Sequence, residues 1–437
     1  MKRRLTRKRV TALVSLGFGL FAFSSVHAQN VCWCWHSPGA LGKPRTCTLK
    51  EKPRPTSQQE CASVCARNNL FYGWGPIGGY YDCDDPGSGP VSQQTPAGHE
   101  PQPSAAPTRI TSAPLQVDRL DPASSRIVPA NAKLDRIATG FTWVEGPVWV
   151  NGSLFFADIP SNSIRRWTPG KGVSIFLQPS GYKGSPPYGG REPGSNGMTL
   201  DAQGRLTVAG HAQRDVFRFE SLNPEAVQTV LADRYQSLRL SSPNDLVYRS
   251  DGSIYFTDPP YGLRKQNDSD PEKEIKVNGV YRIPGAAAQK PGAPPSRDDL
   301  QLLISDLPRP NGIAFSPGEK FLYVDSTEPK KIWMRYSVLP DGTLADPTLL
   351  YDATADPLPG GPDGMKVDVQ GNIYSAGPGG VVILSPEGKH LATLLIPERV
   401  ANVAWGGADR KTLYICASTS IYRVRLSIPG EPIVQSK

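Results

Sequence analysis

One pattern recurs six times between residues 145 and 417: an oxygen-bearing polar residue, a short apolar strand, a glycine-containing turn and a second apolar strand. A repeat of this kind constrains the fold more than composition does, because each unit can bury its faces only against its neighbours. The plainest copy runs Asn196-Gly197-Met198-Thr199-Leu200, then Asp201-Ala202-Gln203-Gly204, then Arg205-Leu206-Thr207-Val208-Ala209. Further copies start at Asn244 with a turn at Asp251-Gly252, at Asn311 with Pro317-Gly318, and at Asp363 with Gln370-Gly371. Glu145, with Asn151-Gly152, opens the first unit, and Asn402, leading to 413–415, opens the last.

A strand, a turn and a second strand, closed by further short strands, make a blade of four antiparallel strands. Six blades of about 50 residues fill the stretch 131–430. The expected fold is all-β: a six-bladed β-propeller of four-stranded antiparallel blades. With 43 Gly and 44 Pro in 437 residues, about a fifth of the chain is made of turn formers, against a usual share of about 12%. That suits many short strands and excludes long helical bundles. The last unit shows only three strands, 402–405, 412–417 and 421–426, and the run 134–138 is expected to supply the fourth. Joining the two ends of the ring in this way protects the strand edges.

The rest of the chain reads differently. Six of the basic residues, Lys2, Arg3, Arg4, Arg7, Lys8 and Arg9, precede an apolar stretch and the small-residue ending Val26-His27-Ala28, the three-part plan of a secretory signal peptide over 1–28. The remainder carries only +2 of the formal +8, so no basic surface argues for nucleic acid. The expected location is secreted or periplasmic, with no membrane attachment after cleavage. Export makes Cys32, Cys34, Cys47, Cys61, Cys65 and Cys83 a disulfide framework, stapling a small disulfide-rich N-terminal domain over 29–83. Its crowded aromatics are expected to fill a small core; exposed, they would form a platform for carbohydrate or protein. Residues 84–130, rich in Pro, Ser, Gln and Thr, read as an extended linker, and 431–437 as a tail. Cys416, in an apolar strand, reads as a small buried hydrophobe.

Equivalent positions in a radial repeat occupy equivalent places in space, so Glu145, Asn196, Asn244, Asn311, Asp363 and Asn402 are expected to ring one mouth of the central channel. For Asn196 and Asn402 a purely turn-forming role stays open. For Glu145 it does not, since Glu is no turn former and here sits among Trp143, Val144, Pro147, Val148 and Trp149. A buried carboxylate needs a partner. Two carboxylates with amide oxygens between them form a hard-oxygen site, which suits a divalent cation, calcium first and magnesium, manganese or zinc after it.

Glu-Gly-Pro-Val-Trp at 145–149, Ser-Pro-Asn-Asp-Leu-Val at 242–247, Thr-Asp-Pro-Pro-Tyr-Gly at 257–262, Pro-Asn-Gly at 310–312 and Pro-Asp-Gly-Met at 362–365 resemble, in this order, the signatures of the senescence marker protein/gluconolactonase/luciferin-regenerating family. The resemblance spans about 131–430 and does not reach the cysteine-rich segment. It implies metal ligands at Glu145, Asn244, Asn311 and Asp363, and an acid/base role for Asp363. It also implies hydrolysis of a lactone, a sugar lactone such as gluconolactone before others. Asn196, Asn244, His211 and Tyr261 are the expected substrate contacts. Where some members of that family carry a substrate-binding Arg, this chain has Ser242. The competing expectations are a non-enzymatic propeller that binds carbohydrate or protein, and a metal-dependent esterase of other specificity.

Overall fold

The six hairpins of the repeat form because each carries one glycine in the left-handed region: Gly152, Gly204, Gly252, Gly318, Gly371 and Gly407 have φ between +70° and +86°. Their placement organises the computed structural model, which describes residues 31–35, 71–75, 110–295 and 299–433. Each hairpin joins the first and second strands of a blade. Blade 1 consists of Val144–Val150, Ser153–Asp158, Ser163–Thr168 and Gly172–Leu177. Blade 2 has Met198–Leu200, Leu206–Gly210, Asp215–Phe219 and Gln228–Ala232. Blade 3 has Leu246–Tyr248, Ile254–Asp258, Gly279–Ile283 and Gln301–Ile304. Blade 4 has Pro310–Phe315, Phe321–Ser326, Ile332–Val338 and Leu344–Asp352. Blade 5 has Met365–Val367, Ile373–Gly377, Gly380–Leu384 and His390–Leu395. Blade 6 has Val400–Gly406, Thr412–Ala417 and Ser420–Arg425, completed by Lys133–Thr139 from the start of the propeller. The expected six-bladed ring and its closing strand are both present.

Every blade is antiparallel, and the four strands of blades 1 to 5 follow one another in sequence order from the channel outward. The first strands touch one another in turn around the ring, so they line the central channel. Among the described residues the core divides into six apolar clusters, one between each pair of neighbouring blades. This follows from the pattern of the strands. Second strands such as Ser153–Asp158 and Ile254–Asp258 are buried on both faces, because each blade is covered on two sides. Aromatic pairs pin the wedges: Trp149 stacks on Tyr414 between blades 1 and 6 at 5.0 Å, and Tyr374 meets Trp405 edge-on at 4.8 Å between blades 5 and 6. Cys416 is free and buried, as expected.

The linker reading over 84–130 needs correction. Thr111–Pro114 pairs with Lys133–Thr139, and Gln116–Arg119 pairs with His390–Leu395, adding a fifth strand to blades 6 and 5. Ile127 and Val128 bury in the cluster between those blades. These outermost strands leave most of their side chains exposed, with only Val117 and, between the two strands, Leu115 packing partly against the core, so they carry no apolar alternation for sequence reading to find. Residues 1–100 form a separate unit, in which Val31–Trp35 and Phe71–Gly75 pair antiparallel. The signal peptide, Cys47, Cys61, Cys65 and Cys83 of the disulfide framework, and residues 84–109 of the linker lie outside the described residues.

Asp215, at the start of its strand in blade 2, shows what burial does to an acid in this fold. It is 5% exposed, its Oδ2 accepts Gln213 Nε2 at 3.0 Å, and its Oδ1 has no partner. Burial, opposed only weakly by that bond, pushes its carboxyl up to about 7. The folded state therefore holds this proton to higher pH than the unfolded state, and stability falls as pH rises from about 4 to about 7. Asp215→Asn is expected to match the native chain near pH 4 and exceed it by up to about 4 kcal/mol above pH 7. Urea melts at the two pH values check this; a gap that does not widen with pH refutes it.

Candidate active site

Each blade delivers its leading polar residue to the same end of the channel. Asn196, Asn244 and Asp363 stand two residues ahead of their innermost strands. Glu145, Asn311 and Asn402 sit inside longer strands, at breaks in register with the neighbouring strand. All six are buried, between 2% and 8% exposed. Four of them are followed by glycine, and close approach is the reason. A Cβ on Gly146 would fall 2.1 Å from the Asn196 carbonyl oxygen, on Gly197 2.4 Å from that of Asn244, and on Gly312 2.2 Å from that of Asp363. On Gly364 it would fall 1.8 Å from Asn402 Cγ. Each glycine thus lets one inner strand press against the leading residue of the next blade, and the turn-forming role left open for Asn196 is not what Asn196-Gly197 does.

The ring is electrostatically unbalanced. Glu145 Oε2 accepts the Gly146 N–H at 2.8 Å and Asn402 Nδ2 at 3.0 Å. Burial nevertheless pushes the Glu145 carboxyl up to about 7. Asn402 Oδ1 accepts the Val403 N–H at 2.8 Å, so both ends of that amide are used and Asn402 acts as a brace for Glu145. Asp363 makes no hydrogen bond or ion pair through its carboxylate among the described residues; burial, and then the charge of Glu145, holds it well above the carboxylate range. Asn311 donates Nδ2 to Thr327 Oγ1 at 3.0 Å and leaves Oδ1 buried with no partner, and Asn196 Oδ1 is equally orphaned.

Two further acids, not anticipated from sequence, deepen the imbalance. Asp325 is fully buried, its Oδ1 accepts the Gly312 N–H at 3.0 Å and its Oδ2 has no partner. Burial and then Asp363 raise it well above the usual range. Asp245 occupies the position where four of the other five blades carry glycine, and burial raises it too. Against these acids stands Lys366, 3.7 Å from Asp245 Oδ2. An acid ending the apolar run Phe321-Leu322-Tyr323-Val324, and an Asp in place of the repeat's glycine, were the signals available.

This donor set fits a hard divalent cation. Among the described residues no group of three or more His, Cys, Asp or Glu side chains could hold a metal, so the candidate ligands are mixed: the carboxylates of Glu145 and Asp363 with the amides of Asn244 and Asn311. The orphaned Asn311 oxygen and the unpaired Asp363 carboxylate are what such a site presents when its charge is uncompensated.

The expected substrate contacts separate. Tyr261 stays partly exposed with its hydroxyl buried and unpartnered; burial, with Glu328 and Asp363 adding to it, pushes the phenol above its usual range. His211 is corrected: it is fully buried and both ring nitrogens are engaged, so it stands behind the pocket wall and has no nitrogen free for substrate. Ser242 is also consumed, donating to the Pro259 carbonyl at 2.6 Å and accepting the Gly262 N–H at 2.9 Å. It fixes the loop that carries Tyr261. The other half of the channel is a cavity of about 680 Å³, lined by Trp149, Met198, Leu246, Ile313, Lys366 and Trp405, and none of the six leading residues borders it. The unpaired acid and amide oxygens lie at the polar mouth, away from this cavity.

Residues 143–419 match the family model described as SMP-30/Gluconolactonase/LRE-like region. The chain is 38% identical over 325 residues to a gluconolactonase of Zymomonas mobilis, a match that covers 72% of this chain and 87% of that one. The structure of a gluconolactonase from Xanthomonas campestris superimposes with a TM-score of 0.61 at 28% identity, covering 74% of this chain and 98% of that one. A luciferin-regenerating enzyme shares the fold with a TM-score of 0.53 at 17% identity, over 74% and 99% of the two chains.

Proposed function

Because this chain belongs to the SMP-30/gluconolactonase/LRE-like family, we propose that it is a metal-dependent hydrolase opening a lactone, a sugar lactone such as gluconolactone before others. The single observation that carries the finer reading is the unpaired, buried Asp363 carboxylate among the oxygens of Glu145 and Asn311. One buried acid such as Asp215 carries no such meaning, but Glu145, Asp325 and Asp363 are buried together and raise one another, a cluster that a scaffold binding only a partner does not need. Glu145, Asn244, Asn311 and Asp363 would hold the cation; the all-oxygen donor set suits calcium, magnesium or manganese over zinc, and calcium stands first because it tolerates irregular geometry and neutral carbonyl donors. Bound there, a divalent cation supplies a Lewis acid for the ester carbonyl and the positive charge that keeps the carboxylates ionised.

Asp363 takes a proton from the attacking water as its oxygen bonds to the carbonyl carbon. The ring C–O bond then breaks, and the departing alkoxide recovers that proton, leaving an open-chain hydroxy acid. Asn244 and Asn196 hold substrate hydroxyls. Asn402 keeps Glu145 in place, and the interblade glycines keep all these groups within one small volume.

The test is acid release from D-glucono-1,5-lactone, above the spontaneous rate, before and after chelation. Activity is expected to vanish on chelation and to return with calcium. Activity indifferent to chelation removes the metal from the mechanism. Calcium binding without activity on any lactone would favour a binding propeller.

A further inference from the structure

The loop 178–197, between the outer strand of blade 1 and the inner strand of blade 2, ends on Asn196-Gly197 and is tied to blade 3. Tyr188 donates its hydroxyl to the Gly262 carbonyl, and Arg264 Nε donates to the Tyr188 carbonyl at 2.8 Å with its guanidinium 5.5 Å from the Tyr188 ring. These contacts join the loop to the segment of blade 3 that carries Tyr261. The same loop carries Glu192, whose Oε2 lies 2.8 Å from His211 Nε2. His211 Nδ1 lies 3.1 Å from the Pro243 carbonyl oxygen, which can only accept, so Nδ1 carries a hydrogen and the ring orientation is set. The ring is walled in as well: a Cβ on Gly262 would fall 2.6 Å from His211 Cδ2.

A fully buried histidine with both nitrogens committed is a clamp, and what it clamps is one oxygen of a carboxylate. Glu192 keeps 23% of its side chain exposed, and its Oε1 makes no hydrogen bond. His211 follows the strand paired with the Asn196 segment, and Pro243 precedes Asn244, so the clamp sits between two residues proposed to hold substrate hydroxyls.

We propose that Glu192, positioned by His211, is a specificity residue of the mouth: Nδ1 keeps its hydrogen on the Pro243 carbonyl, the contact between Nε2 and Oε2 holds one further proton so that the pair is neutral as a whole, and the free Glu192 oxygen accepts a hydroxyl of a polyhydroxylated lactone. This rests on the lactonase reading and names the kind of lactone. No repeat position corresponds to Glu192, so the device belongs to this loop and not to the blade plan.

The experiment compares kcat/KM for D-glucono-1,5-lactone, for δ-valerolactone, which has no hydroxyls, and for D-glucaro-1,4-lactone, which carries a carboxylate. Glu192→Ala is expected to lower the gluconolactone value about tenfold more than the valerolactone value, mostly through KM. Glu192→Gln keeps an acceptor oxygen and an amide that can donate to His211 Nε2, so it should recover part of the gluconolactone loss, and the glucarolactone value, whose hydroxyls are read in the same way, should follow the gluconolactone value in both variants. His211→Gln should shift the first ratio as Glu192→Ala does, with thermal melts showing whether it is folded; if it is not, the Glu192 variants decide alone. A native chain that opens gluconolactone but whose gluconolactone-to-valerolactone ratio does not move in either Glu192 variant overturns this inference and leaves the lactonase reading standing. A native chain inert toward all three lactones overturns both.

Discussion

Asp363→Asn is expected to lower kcat for lactone opening by roughly 10³-fold, the usual cost of losing a general base that also binds the reacting centre's charge. The same substitution should stabilise the protein in the absence of divalent ions. The native carboxylate is buried beside Glu145 and Asp325 and is held well above its ordinary range, so ionising it at neutral pH costs stability that a neutral amide does not. Adding calcium should reverse the order, raising the Tm of the native chain and leaving that of Asp363→Asn almost unmoved. Acid-release kinetics and thermal melts, each with and without calcium, read both halves. Activity within tenfold of native removes Asp363 from the chemistry. A metal-free variant less stable than the native chain means that the acid is held by contacts outweighing its burial.

Gly312→Ala carries the second large effect, on the fold and the site together. The added methyl would lie 2.2 Å from the Asp363 carbonyl oxygen and 2.7 Å from Asp325 Oδ2, and the first of these is backbone that cannot rotate away. The inner strands of blades 4 and 5 must separate, at an expected cost of about 3 kcal/mol. Since Asn311 and Asp363 ride on those two strands, calcium affinity should fall along with Tm. Isothermal titration of the folded variant checks this; unchanged affinity would mean that the two residues do not share a cation.

Much of the architecture was legible because the repeat writes it six times. Glycine hairpins and apolar second strands have local causes, and the closing strand 133–139 carries its own apolar pattern next to the first unit. Thr111–Pro114 and Gln116–Arg119 were not legible, because strands on the outer edge expose most of their side chains and are selected mainly by backbone pairing. Within the site, the leading residues were readable as equivalent positions. Their following glycines misled: Asn-Gly looks like a turn in one dimension, whereas here the glycine leaves room for the next blade's backbone. His211 misled for a related reason. Its place after an apolar strand suggested a loop or pocket histidine, and only the Pro243 carbonyl and Glu192, 32 and 19 residues away, show that both of its nitrogens are taken.

The amino-acid order by itself determined the number of blades, the channel end at which oxygen donors gather and the family of the chain, because those follow from a period and from residue types that recur with it. Only the tertiary structure decided which donors are spent and which are free. Asn402 is bound up with Glu145 and Ser242 with its own loop, while Asp363, Asn311 and one oxygen of Glu192 are left open. A hydrogen bond between residues 257 positions apart, such as that from Asn402 to Glu145, has no trace in either local sequence. It exists because ring closure brings the last blade against the first.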